Sequence, residues 1–252
     1  MKNLSQPRLA CLCPTYKRPN FLASAAACFD RQTYPSYLRR LFILDDAGQH
    51  KDESTPTIRI YVHSKRYPSL PIKYNKLVEL ATDEWSPDAF VVWEDDDAFL
   101  PWHLQSIADA IALGGEYLIS RTIHTTSHQP IGKTLIERSD GRFHSSWAFT
   151  ADLLDRIGGY PDASRLDFDQ QLGSMLRNEA GERTYYSHEQ GPPPSYVYRW
   201  GNNIYHGSQR GEEGFKKLWD DLDNIPAPYI GRLVPNMDKE TELIYKEHKY
   251  ET

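Results

Sequence analysis

Ala89-Phe90-Val91-Val92-Trp93-Glu94-Asp95-Asp96-Asp97 is the stretch that decides the fold. Five apolar residues without a break read as a buried strand, and a strand of this kind carries its last residues to the edge of a sheet. Here those last residues are four acids in a row. Like charges crowded together repel unless a cation sits among them. Asp95 and Asp97 are two apart, so an extended backbone points both carboxylates to one side. Two hard carboxylates suit Mg²⁺ or Mn²⁺, which keep open positions for phosphate oxygens. The competing reading is a solvated acidic turn at a strand end.

On either side of this strand the first half of the chain alternates strand-like and helix-like pieces, the signature of an α/β sheet. Leu9–Cys13 reads as a strand stopped by Pro14. Pro19 to about Gln32 reads as a helix with Phe21, Leu22, Ala25 and Phe29 on one face. Leu41–Leu44 is a short strand ending at Asp45-Asp46, and Ile58–Val62 is a third. Pro71–Ala81 has Tyr74, Leu77, Val78 and Ala81 at helical spacing. Leu104, Ile107, Ala108 and Ile111 mark another helix, closed by Gly114-Gly115. Three strands therefore end in Pro14-Thr15-Tyr16, Asp45-Asp46 and Asp95-Asp96-Asp97. In open α/β sheets ligands bind beyond the carboxyl ends of strands, so these ends are expected to converge.

The second half is less regular. Glu116–Ile123, Lys133–Ile136 and Ser145–Thr150 read as strands. Leu153, Leu154 and Ile157 mark a short helix stopped by Gly158-Gly159, and Asp167 opens a helix with Phe168, Leu172, Met175 and Leu176 inside. Gly191-Pro192-Pro193-Pro194 is a stiff break, followed by Tyr196–Trp200 and then Tyr205-His206-Gly207-Ser208. From Gly214 the chain is amphipathic and polar, as a docking arm would be.

Composition bounds the possibilities. The 252 residues suffice for a large core, and 39% hydrophobic with 25% charged residues is ordinary for a soluble globular protein. No apolar run approaches the roughly 18–20 residues that cross a bilayer. Met1–Leu9 is too polar and short for a signal peptide. Cys11, Cys13 and Cys28 cannot all pair, and Cys11 and Cys13 in an apolar strand read as small core hydrophobes of a reducing compartment, so the cytoplasm is expected. A net charge of −6 argues against a surface built to grip nucleic-acid backbones. Arg199, Arg210, Lys216 and Lys217 are diluted by Glu212, Glu213, Asp220 and Asp221, so a nucleic-acid partner is not indicated.

Taken in order, Pro14-Thr15-Tyr16-Lys17-Arg18-Pro19, Leu44-Asp45-Asp46-Ala47-Gly48, Lys73-Tyr74-Asn75-Lys76, Trp93-Glu94-Asp95-Asp96-Asp97, Ile157-Gly158-Gly159-Tyr160 and Leu166-Asp167-Phe168-Asp169 resemble family-2-like glycosyltransferases with the GT-A fold. The resemblance covers roughly residues 8 to 210. It implies a Rossmann-like mixed sheet flanked by helices in a single domain over residues 1–210. A donor half would occupy about 1–100 and an acceptor half about 101–210, with 211–252 a helical extension. It also implies roles. Asp95 and Asp97 resemble a DxD motif holding Mn²⁺ or Mg²⁺ against a sugar-nucleotide diphosphate, with His206 as a third ligand. Pro14, Thr15, Tyr16 and Arg18 would line the nucleotide pocket, and Asp45 or Asp46 would accept from base or ribose. Lys73 would hold the diphosphate, with Asn75 and Asp96 on the same side. For Asp45-Asp46 the residues alone favour an Asx-turn with Gly48.

The acceptor side departs from the family's usual Glu-Asp pair, since Leu166 precedes Asp167. Asp167 is the candidate base, Asp169 the fallback, and a helix cap the competing role for Asp167. The implied reaction is an inverting, metal-dependent transfer from a nucleotide sugar, UDP being the commonest nucleotide, to an acceptor hydroxyl. A nucleotidyltransferase would usually carry a Gly-rich phosphate loop after the first strand, and Pro14–Arg18 has no glycine. A noncatalytic nucleotide-sugar-binding module would retain the donor residues and lack the base. Trp93, Trp147 and Trp200 read more simply as buried than as stacking platforms.

Overall fold

A computed structural model of the chain describes residues 6–161, 167–187, 193–200 and 229–248. In chain order its first elements are β1 (Leu9–Thr15), α1 (Pro19–Asp30), β2 (Arg39–Asp45), β3 (Glu53–Ser54), β4 (Ile58–Val62), α2 (Leu70–Trp85), β5 (Ala89–Val92) and β6 (Ala98–Phe99). There follow α3 (His103–Ala112), β7 (Tyr117–Ile119), β8 (Thr122–Thr125), β9 (Leu135–Arg138), β10 (Ala148–Thr150) and α4 (Ala151–Arg156). The last are α5 (Phe168–Ala180), β11 (Thr184–Tyr186), β12 (Tyr196–Tyr198) and α6 (Lys239–Glu247).

Strands β1 and β5 are buried at every position, which requires cover on both faces. Alternate β1 side chains feed two cores. Leu9, Cys11 and Cys13 join Leu22, Ala25 and Phe29 of α1 and Leu104, Ile107 and Ile111 of α3. Ala10 and Leu12 join Tyr74, Leu77 and Ala81 of α2 with Leu153, Leu154, Leu172 and Leu176 of α4 and α5. The result is a mixed sheet between two helical layers, as expected of the GT-A fold. Its strand order is β11-β7-β10-β5-β1-β2-β4-β3, with β10 antiparallel to both neighbours and β3 antiparallel to β4. Among the described residues, no helix is long and apolar enough to cross a membrane.

Several boundaries differ from the sequence reading, each for a physical reason. Strand β1 runs through Pro14 to Thr15. Amide directions alternate along a strand, so the nitrogen of Pro14 points the same way as the carbonyl of Leu12, which accepts from Trp93 N at β5's end. Beyond that point β5 has stopped, and a missing donor costs no ladder bond. Helix α2 starts at the Ser69 cap, whose hydroxyl accepts from Ile72 N, and ends at Ser86, held out of the helix by Pro87.

Glu116–Ile123, read as one strand, divides into β7 in the main sheet and β8 in a second one. That second sheet, β6-β12-β8-β9, has no periodic signal of its own because two of its strands hold two or three residues. The segment before α6 and α6 itself lie against the body: Leu233 and Met237 of the segment and Ile244 of α6 enter the core, and Asn236 N donates to Ala23 O. Cys11, Cys13 and Cys28 are free and buried.

Gly173 sits mid-helix in α5 because Trp147 lies against it; a Cβ there would stand 2.7 Å from the indole. Gly173→Ala regains up to about 1 kcal/mol of helix propensity. It costs about 1–3 kcal/mol in overpacking a rigid ring. A lowered Tm by scanning calorimetry is expected, and a raised one would contradict this packing.

Candidate active site

The parallel register sets Thr15 beside Asp45, and β5 ends next to them, so three strand ends meet at one edge of the sheet. The acids themselves do not continue the strand. Strand β5 stops at Val92, and Asp95–Asp96 form a turn that leads into β6. The expectation of Asp95 and Asp97 on one side of an extended backbone is thereby corrected. A turn replaces the two-residue alternation, and it brings one ligand atom each of Glu94, Asp96 and Asp97 within 4.8 Å of one another.

Each acid is met by protein side chains or amides, and Arg18 serves two of them. Asp95 accepts from Thr15 Oγ1 at 2.6 Å and from Arg18 at 3.2 Å. The same Arg18 nitrogen reaches Asp96 Oδ2 at 2.5 Å. Asp97 accepts from Tyr196 Oη at 2.6 Å and from Arg199 N at 3.1 Å. Glu94 Oε1 lies 3.1 Å from His144 Nδ1 and accepts from Tyr74 Oη at 3.4 Å. Burial pushes the Asp95 carboxyl up to about 6 against the opposing pull of Arg18. Burial, followed by the Asp96 and Glu94 charges, drives Asp97 well above the carboxylate range. Both shifts express the cost of anionic charge at this spot, a cost that a divalent cation relieves. The donor set is all oxygen and partly buried, and it fits Mg²⁺ or Mn²⁺.

The nucleotide-side candidates occupy the adjoining strand ends. Pro14 and Thr15 are buried in β1, and Lys17 follows in the left-handed region at φ +57°. The Tyr16 ring has Lys17 Nζ 5.1 Å and the Arg66 guanidinium 4.8 Å from its centroid. Arg18 is drawn toward the acids; burial lowers its pKa, and Asp95, Asp96 and Glu94 more than offset that.

Asp45 carries an architectural task. Its fully buried carboxylate accepts from Ala47 N at 2.9 Å, Gln49 N at 2.8 Å and His50 N at 2.9 Å, the turn with Gly48 that the residues alone favoured. Asp46 accepts from Tyr67 N at 2.8 Å and pairs with Lys73. Lys73 Nζ also donates to Thr15 O at 2.6 Å and is buried, so burial lowers its pKa against the pull of Asp46. Lys73 thus ties together the ends of β1 and β2. Lys76 pairs with Glu79 on the exposed helix face.

Asn75, expected beside the diphosphate with Lys73, instead exchanges two hydrogen bonds with the Tyr160 backbone, at 2.8 and 3.0 Å. A Cβ on Gly159, at φ +87°, would stand 2.8 Å from the Asn75 side chain. Tyr74 and Tyr160 stack at 4.8 Å, and Phe168 packs against both and against His144. Phe168 opens α5, so Asp167 and Asp169 flank it along the chain. Asp167 stands at the N-cap, yet its carboxylate caps nothing; it is exposed and accepts from the Gln171 amide at 3.3 Å. Asp169 accepts from Gln170 N at 2.8 Å. Leu166 and His206 lie outside the described residues.

Sequence reasoning did not single out Glu94 beside Asp96 and Asp97, nor His144, Tyr196 and Arg199 as partners of these acids. Trp93 and Trp147 are buried core residues.

Solved structures share this architecture. S. aureus TarS superposes with a TM-score of 0.58 at 11% identity over 77% of this chain and 37% of that one. Its 1–349 fragment in complex with UDP-GlcNAc gives 0.59 at 11% identity over 94% and 70%. Mannosyltransferase PcManGT from Pyrobaculum calidifontis, in complex with GDP-Man and Mn²⁺, gives 0.52 at 16% over 81% and 60%. This chain spans little more than a third of full TarS. No protein-family model and no curated protein matches the sequence. At these identities the likeness defines the fold, and the fold is that of the GT-A glycosyltransferases.

Asp45→Ala leaves buried amides without their acceptor. A loss of at least about 2–3 kcal/mol is expected from urea unfolding. Unchanged stability would return Asp45 to the list of ligand-facing groups.

Proposed function

We propose that the protein transfers a sugar from a nucleoside-diphosphate donor to an acceptor hydroxyl, with a divalent cation held by Glu94, Asp96 and Asp97. The observation that carries this reading is the convergence of those three carboxylates at the carboxyl ends of β1, β2 and β5 in a GT-A fold. UDP-GlcNAc in the TarS fragment, and GDP-Man with Mn²⁺ in PcManGT, support a nucleotide-sugar donor and a cation of this kind. When bound, the cation neutralises charge that builds on the departing diphosphate. Asp95 works beside this set, through Thr15 and Arg18, and His206 is a candidate fourth ligand by resemblance.

The chain's own groups do the rest. Tyr16 and the strand ends around it offer the nucleotide a platform. Thr15, Arg18 and the Lys73–Asp46 pair fix the floor of the site. Asp167 takes the proton of the acceptor hydroxyl as its oxygen bonds to the anomeric carbon, while the bond from that carbon to the diphosphate oxygen breaks on the opposite face. The product is inverted at that carbon, and the electron pair leaves on the diphosphate. Asp169 is the alternative base.

Calorimetric titration with UDP, GDP and their sugar conjugates tests the donor site. Binding that appears only with Mn²⁺ and disappears in Asp97→Asn is expected. Absence of metal-dependent binding to any of them overturns the proposal. Asp167→Asn is expected to lower kcat by about 10²–10⁴-fold with donor affinity unchanged. The same loss in Asp169→Asn alone would assign the base to Asp169.

A further inference from the structure

The geometry points to His144 as a positioning residue that fixes the Glu94 carboxylate for the divalent cation, an inference that rests on the metal reading above. Glu94 is the longest of the three converging acids and has the most torsional freedom to lose. Asp96 is held by Arg18, and Asp97 by Tyr196 and the Arg199 amide. The corresponding holders of Glu94 are Tyr74 Oη and His144 Nδ1, and both reach the same oxygen, Oε1.

The imidazole is itself fixed. It is buried and meets Tyr74, Trp147, Phe168 and Tyr160 edge to face, at centroid distances of 5.1, 5.1, 5.5 and 5.8 Å. Glu94 must be ionised to hold a cation, and its carboxylate then has no hydrogen to give, so Nδ1 carries the proton in this pair. In the neutral ring Nε2 is then an acceptor, and Tyr160 Oη stands 3.3 Å from it as the donor. The chain of donors runs one way, from Tyr160 through His144 to Glu94. Outer partners of this kind orient a metal ligand, and their loss typically costs about 10–100-fold in metal affinity.

The test is Mn²⁺ binding to the chelator-stripped protein, read by electron paramagnetic resonance of free Mn²⁺ and by calorimetry. Asn places an amide nitrogen near the position of Nδ1, and Gln places one near Nε2. His144→Phe keeps a ring and loses both nitrogens. The expected result is about 10–100-fold weaker binding in His144→Phe and His144→Gln, with His144→Asn within about threefold of wild type. Wild-type affinity in His144→Phe overturns the inference and leaves the metal reading standing. Equal weakness in Asn and Gln variants also overturns it, because packing alone would then account for the loss. No Mn²⁺ binding by the wild type overturns both. Should His144→Phe fail to fold, the ratio between the Asn and Gln variants decides.

Discussion

Four consecutive carboxylates at the end of a fully buried strand are the constraint around which this molecule is arranged. Burial raises the cost of charge on Asp95 and Asp97, and the neighbouring carboxylates raise it again for both. The fold answers with donors from distant parts of the chain. Thr15 and Arg18 come from the end of β1 and the turn after it, His144 from the approach to β10, and Tyr196 and Arg199 from β12 and its end. Arg18 offsets part of the charge on Asp95 and Asp96, while Thr15, Tyr196 and the Arg199 amide are neutral donors, so net negative charge remains, and that combination is suited to a cation.

The neighbouring basic group is handled differently. Lys73 is paired with Asp46 and bonded to Thr15 O, so its charge is spent inside the protein. A buried pair of this sort adds little net stability but is costly to break, and here it keeps two strand ends in register. The strand ends are buried, while Tyr16 has two cations against its ring, Lys17 and Arg66, that meet the solvent more closely.

Much of this was legible in the sequence, and the reasons separate cleanly. Unbroken apolar runs ending in Pro14-Thr15, Asp45-Asp46 and the acids gave the main strands and their shared edge, because full burial leaves no polar interruption. The turn with Gly48 is local chemistry that the residues alone favour, although its place at a strand end weights Asp45 toward ligand binding. The identity of the converging acids was not. It depends on the backbone leaving the strand at Val92, and no residue before Glu94 signals that departure. Tyr196 and Arg199 lie about a hundred residues from Asp97, and nothing local marks their partnership. The second sheet escaped notice because strands of two or three residues show no period. The reason for Gly173 within α5 is Trp147, which lies more than twenty residues earlier and is not visible in the local pattern.

The two bonds on Asp97 have a consequence for thermodynamic linkage. Arg199, whose amide meets Asp97, sends its guanidinium to Asp238 at 3.0 Å and Glu240 at 2.9 Å, and Asp238 caps α6. The acidic turn, the small sheet and α6 therefore share one chain of polar contacts. Should the charge borne by Asp97 change how firmly α6 docks through this chain, reciprocity requires that anything gripping α6 alter the affinity at the acids by the same factor. The chain joins two places that more than a hundred residues of sequence separate.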